Sequence, residues 1–84
     1  MPDMKLGAFQ RLDQQSQLDA AMARGVYLMH YTKYNVVVRL FQVDRFYAEV
    51  YSRSEDGEVI MIHAFEDMRY LEPYLEKLEI PALF

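Results

Sequence analysis

The chain has 84 residues, a net charge of −4, a pI near 5.0 and no cysteine. That length allows one modest core, because a domain near this size buries only about 60% of the surface its unfolded chain exposes. Disulfide staples and cysteine-based zinc sites are excluded, and with 52% hydrophobic and 14% aromatic residues so is an intrinsically disordered coil. The expectation is a single α+β domain over 1–84, with 1–15 its loosely ordered part, held by packing alone.

Two histidines, His30 and His63, are too few for a metal site without carboxylates or a second chain, so neither metal nor cofactor is expected. The nine basic residues are scattered and the C-terminal third is acidic, which argues against nucleic acid as a partner. Met1 to Gln15 holds no apolar run of signal-peptide type, and no stretch nears the ~18 apolar residues that span a bilayer. A soluble cytoplasmic protein with no membrane partner is the resulting expectation.

The N-terminal part reads as helical in two pieces. Leu6, Phe9 and Leu12 share one face at 100° per residue, whereas Leu18, Ala21 and Met22 fall on the opposite one. A break near Asp13 to Gln15 follows, with Ser16 as N-cap, Asp19 in the first turn and Gly25 ending the helix. The spacing predicts a helix over 17–24 and a turn at 6–12.

From Val26 to Phe65 the chain is rich in Val, Ile, Tyr and Phe and free of proline. Lys33-Tyr34-Asn35, Val43-Asp44-Arg45 and Glu55-Asp56-Gly57 divide it into four strands, at 26–32, 36–42, 46–53 and 58–65. Connections this short permit only antiparallel neighbours, so the strands form a four-stranded β-meander. Beyond it, Met68, Leu71, Leu75 and Leu78 repeat at helical spacing. Pro73 either opens a restarted helix or kinks it, and Pro81 stops it. The order is α-β-β-β-β-α.

Turn chemistry sets the expected register. A three-residue loop with Gly57 in the left-handed position pairs Glu49 with His63, Val50 with Ile62 and Tyr47 with Phe65. A three-residue loop at Val43-Asp44-Arg45 pairs Arg39 with Glu49, Val38 with Val50 and Phe41 with Tyr47. If Asn35 takes the left-handed position, Leu28 and His30 join the Val38/Leu40 side; a two-residue loop there sets His30 beside Arg39 instead. One face is then small and aliphatic: Val26, Leu28, Val36, Val38, Leu40, Ala48, Val50, Ile60, Ile62 and Ala64, the expected core. The other carries Tyr27, Tyr31, Phe41, Tyr47, Tyr51, Met61 and Phe65 around a polar row of Arg39, Glu49 and His63.

An apolar face of that size needs a cover. The helices can lie on opposite faces, the face can meet a second copy or another protein, or the sheet can curl around a small-molecule ligand. The reading adopted is a non-catalytic protein-binding or regulatory module, a homodimer through the aromatic face, with Tyr27, Tyr31, Phe41, Tyr47, Tyr51 and Arg39 as contact residues. The alternative is a ligand-binding protein or enzyme in which Glu49 and His63 form an acid–base pair and Arg39 clamps an anion. A plain cross-strand ion pair accounts for the same three residues and needs no nucleophile, which the sequence does not supply. The interleaved Tyr and Arg suggest RNA-stacking sheets, but no RNP1-like segment accompanies them.

Overall fold

The computed structural model describes residues 3–77. Helix α1 runs over Leu6–Gln10 and α2 over Gln14–Arg24; four strands follow, β1 Gly25–Lys33, β2 Val36–Val43, β3 Phe46–Arg53 and β4 Val59–Phe65. A 3₁₀ turn at Met68–Leu71 leads into α3, Glu72–Lys77. The strands form one antiparallel sheet in the order β1-β2-β3-β4, the expected α+β meander flanked by helices. Leu78 and Pro81 lie outside the described residues.

The break between the first two helices falls where the apolar stripe changes face, but the cap differs from expectation. Asp13, not Ser16, is the N-cap of α2, and its Oδ1 accepts the Ser16 backbone N–H at 2.7 Å. An N-cap carboxylate satisfies a donor that the first helical turn leaves orphaned. Gly25 does end α2, through a different geometry from the usual left-handed cap. Its φ is −84°, and what requires glycine is space: a Cβ there would lie 2.3 Å from the Ala21 carbonyl oxygen.

The β3–β4 hairpin has the expected register over most of its length, with Glu49 opposite His63, Val50 opposite Ile62 and Tyr47 opposite Phe65. Gly57 sits at φ +74°, and a bulge beside the turn sets Ser52 against Val59. The β2–β3 hairpin differs. Its turn has two residues, Asp44 and Arg45, so Leu40 faces Glu49, Arg39 faces Val50 and Phe41 faces Ala48. Asp44 adopts φ +52°, and its carboxylate accepts the Met4 N–H at 2.8 Å and the Arg24 guanidinium at 3.1 Å. Those bonds stabilise the tighter turn, since Asp tolerates the left-handed region better than most residues. The tighter turn also turns Phe41, Val43 and Phe46 inward, where all three are buried.

The β1–β2 hairpin likewise has a two-residue turn. Tyr34, not Asn35, takes positive φ (+56°), and His30 lies opposite Arg39. A bulge between Tyr27 and Met29 then inserts Leu28 as an extra residue.

These one-residue slips exchange faces. The expected aliphatic face is divided: Ala48, Val50, Ile62 and Ala64 join Phe41, Val43 and Phe46 beneath α1 and α2, packed on Phe9 and Ala21. Val36, Val38 and Leu40 lie on the opposite side with Phe65, Tyr47, Tyr51 and Tyr31, where Tyr74 of α3 is buried against them. Val26, Leu28 and Ile60, expected in the core, are 62%, 45% and 50% exposed. The helices therefore cover both faces of the sheet, two on one side and the C-terminal segment on the other. Pro73 sits in the first turn of α3, where its missing N–H costs no helical bond.

Candidate functional site

The polar centre of the molecule is Glu49, on the α3 side of β3. It is 6% exposed, unusually low for a carboxylate, and a buried charge is tolerated only when donors surround it. The donors come from three elements. His63, its cross-strand partner on β4, places Nδ1 2.8 Å from Oε1. Tyr74 of α3 donates its hydroxyl to Oε2 at 2.5 Å. Tyr51, two residues along β3 and therefore on the same face, also directs its hydroxyl to this carboxylate. Tyr31 of β1 completes the wall, its ring 5.3 Å edge-on from that of Tyr74.

Burial next to a carboxylate makes a phenolate doubly unfavourable. Desolvation, reinforced by Glu49, pushes the Tyr51 hydroxyl up to about 12. The same two causes raise Tyr31, and Tyr74 is raised further still, first by desolvation and then by its hydrogen bond to Glu49. These tyrosines are therefore held neutral, and the Tyr74 hydroxyl acts as a donor to Glu49.

His63 is more open, with 40% of its side chain exposed, and its ring stacks on Phe65 and meets Tyr70 edge-on at 5.3 Å. Its bond to Glu49 orients the imidazole, an arrangement able to serve an acid–base pair. The third member of that constellation is displaced. Arg39 projects from the opposite face of the sheet, where its Nη1 donates to Ser52 Oγ at 3.1 Å. A cluster of Arg39, Glu49 and His63 is therefore corrected to Glu49 and His63 with Tyr51 and Tyr74, and an anion clamp by Arg39 is not available to it.

The six residues expected to share one contact face are also separated. Tyr31, Tyr47 and Tyr51 pack on the α3 side, while Phe41 is buried beneath α1 and α2 with the Tyr27 ring tilted against it at 5.7 Å. A common aromatic interface of Tyr27, Tyr31, Phe41, Tyr47, Tyr51 and Arg39 does not form on either face. The residue that the sequence reading missed is Tyr74. Its signal was present: it lies three positions after Leu71, on the face where Leu71 packs, whereas Leu75, taken as part of the stripe, is 63% exposed.

Beside Tyr74 an apolar groove of about 250 Å³ runs between α3 and β1, lined by Leu28, Met29, Leu71 and Leu75 with the rings of Tyr47 and Tyr74. Neither Glu49 nor His63 lines it, so the acid–base pair and the concave surface are separate features. Among the described residues, no group of three or more His, Asp or Glu could hold a metal ion, and no helix is long and apolar enough to cross a membrane. No family model, curated protein or solved structure matches this chain.

Proposed function

We propose that this chain is a small non-catalytic binding module that self-associates by pairing the β1 edge of one copy with that of another. The observation that carries this reading is the character of the edge. β1 is nine residues long, lies at the end of the sheet, contains no proline and has one Lys or Arg, Lys33 at its last position. Proteins usually protect such edges with charges, proline, bulges or short strands, because an open edge is a template for another strand. β1 has one bulge, at Leu28, and the stretch from Met29 to Lys33 is regular. Here the flanking side chains are apolar: Val26 and Leu28 are 62% and 45% exposed, and Leu75 across the groove is 63% exposed.

A second copy suits this edge for two reasons. An antiparallel strand pair is self-complementary, so two identical edges meet about a two-fold axis. The net charge of −4 is a mild obstacle, but β1 itself carries no Asp or Glu. The test is a double substitution, Val26→Lys with Leu28→Lys, followed by sedimentation velocity and circular dichroism. The reading expects a folded monomer from a dimeric parent. An unchanged assembly in the variant would refute it.

A second reading, a site for a small apolar molecule, is supported by the groove beside Tyr74. Its 250 Å³ lies just under the roughly 300–1,000 Å³ usual for ligand pockets.

A further inference from the structure

We propose that the segment from Asp67 to Lys77 is a hinged flap, latched onto the sheet by the Tyr74–Glu49 hydrogen bond, that opens as a unit while the four strands stay folded. Three observations support it.

The first is how little of the flap is buried. Tyr74 is 2% exposed and Leu71 part-buried, whereas Met68, Tyr70 and Leu75 are 63%, 52% and 63% exposed. Segments that bury few apolar side chains are those that open locally at a free energy below the global one.

The second is that the flap carries its own polar bonds with it. Asp67 accepts the Arg69 backbone N–H at 2.9 Å and pairs with the Arg69 guanidinium, so opening breaks neither contact. The N-terminal segment is tied at more points, by bonds that cross to the sheet and its turns. Gln14 Nε2 donates to the Val59 carbonyl at 3.2 Å, and Arg24 and the Met4 N–H both reach Asp44. Glu66, the last residue before the flap, belongs to no helix or strand and is exposed, a suitable hinge.

The third is the latch itself. Tyr74 bonds to a carboxylate that is 6% exposed, and a hydrogen bond to a charged, buried acceptor is stronger than a neutral one. With the flap closed, the Tyr74 ring screens Glu49 from water. With it open, Glu49 is rehydrated and Val38, Leu40 and Phe65 lose their cover. Opening therefore couples exposure of the charge to exposure of an apolar strip, and parts the Tyr70 ring from Phe65 and His63.

The test is amide hydrogen exchange on the full chain, in the parent and in Tyr74→Phe, which keeps the ring and removes the hydroxyl. Exchange across 68–77 should accelerate by about ten- to a hundredfold, the range set by a hydrogen bond to a charged group, while β2 and β3 are unchanged. In the parent, low denaturant should leave flap exchange nearly constant and accelerate the strands. Flap amides that exchange only in step with β2 and β3, or an unchanged rate in Tyr74→Phe, would overturn the proposal. The readout is intramolecular, so its failure would leave the β1 pairing reading untouched.

Discussion

The Tyr74 hydroxyl lies 2.5 Å from Glu49 Oε2, joining the C-terminal helix to the middle of the sheet across 25 positions of sequence. The carboxylate in turn meets His63 on β4 and Tyr51 on its own strand, so one buried acid organises three elements. Removing a partner from such a centre is costly mainly because the others lose theirs. Glu49→Leu should therefore lower unfolding stability by about 2–4 kcal/mol, and Glu49→Gln by less, since an amide oxygen still accepts. Urea denaturation with both variants checks the order.

The tyrosines around Glu49 make stability sensitive to alkali. Their pKa values are raised in the folded state above the ordinary value of 10.0, that of Tyr51 to about 12. A raised folded pKa means that the unfolded chain loses its protons first. The contribution is complete below about 10 and is lost as pH climbs through 10 toward about 12. Thermal melts across that window should show a falling midpoint, and Tyr51→Phe should flatten the fall. Absorbance titration should show Tyr31, Tyr51 and Tyr74 ionising above the ordinary tyrosine value.

Asp44 governs the acid side of the β2–β3 turn. The Met4 N–H is the largest cause holding its carboxyl below the ordinary 3.8, with the Arg24 guanidinium adding to it. A lowered folded pKa contributes stability above 3.8 that disappears as pH falls through the folded value. Asp44→Ala should be more damaging than Asp44→Asn, because alanine loses both bonds and is strained at φ +52°. Melting temperatures at neutral pH should rank them in that order, with the gap from the parent narrowing in acid.

Gly25→Ala should destabilise the fold by about 1–3 kcal/mol, because the new methyl would press on backbone that has no rotamer to change. Arg39→Ala should stay within about 0.5 kcal/mol, since Arg39 is exposed and bonds across the face remote from Glu49. It should also leave the His63 imidazole resonances unmoved in NMR spectra. A shift there would mean that Arg39 and His63 communicate.

How much of this was legible in the sequence depended on which turns announced themselves. Gly57 marks a left-handed position unambiguously, and the Glu49–His63 pairing followed from it. Neither Asp44 nor Tyr34 is the glycine that marks a left-handed position plainly, so the two-residue turns they make look one residue longer in the sequence. That one residue moved Arg39 away from Glu49 and scattered the expected aromatic face. The constraint that decides the β2–β3 turn, the bonds from Met4 and Arg24 to Asp44, spans 40 and 20 positions and has no local signature. The four strands and the fold class were readable because they depend on composition and spacing rather than on turn type. The role of Tyr74 required knowing which face α3 presents, and Leu75 pulled the apparent stripe to one side.

The most direct test of self-association through β1 is the molar mass of the unaltered chain by light scattering, over a hundredfold range of concentration. The account predicts a mass near twice 10.0 kDa that falls on dilution. A monodisperse 10.0 kDa species throughout would contradict it and leave the β1 edge unpaired in solution.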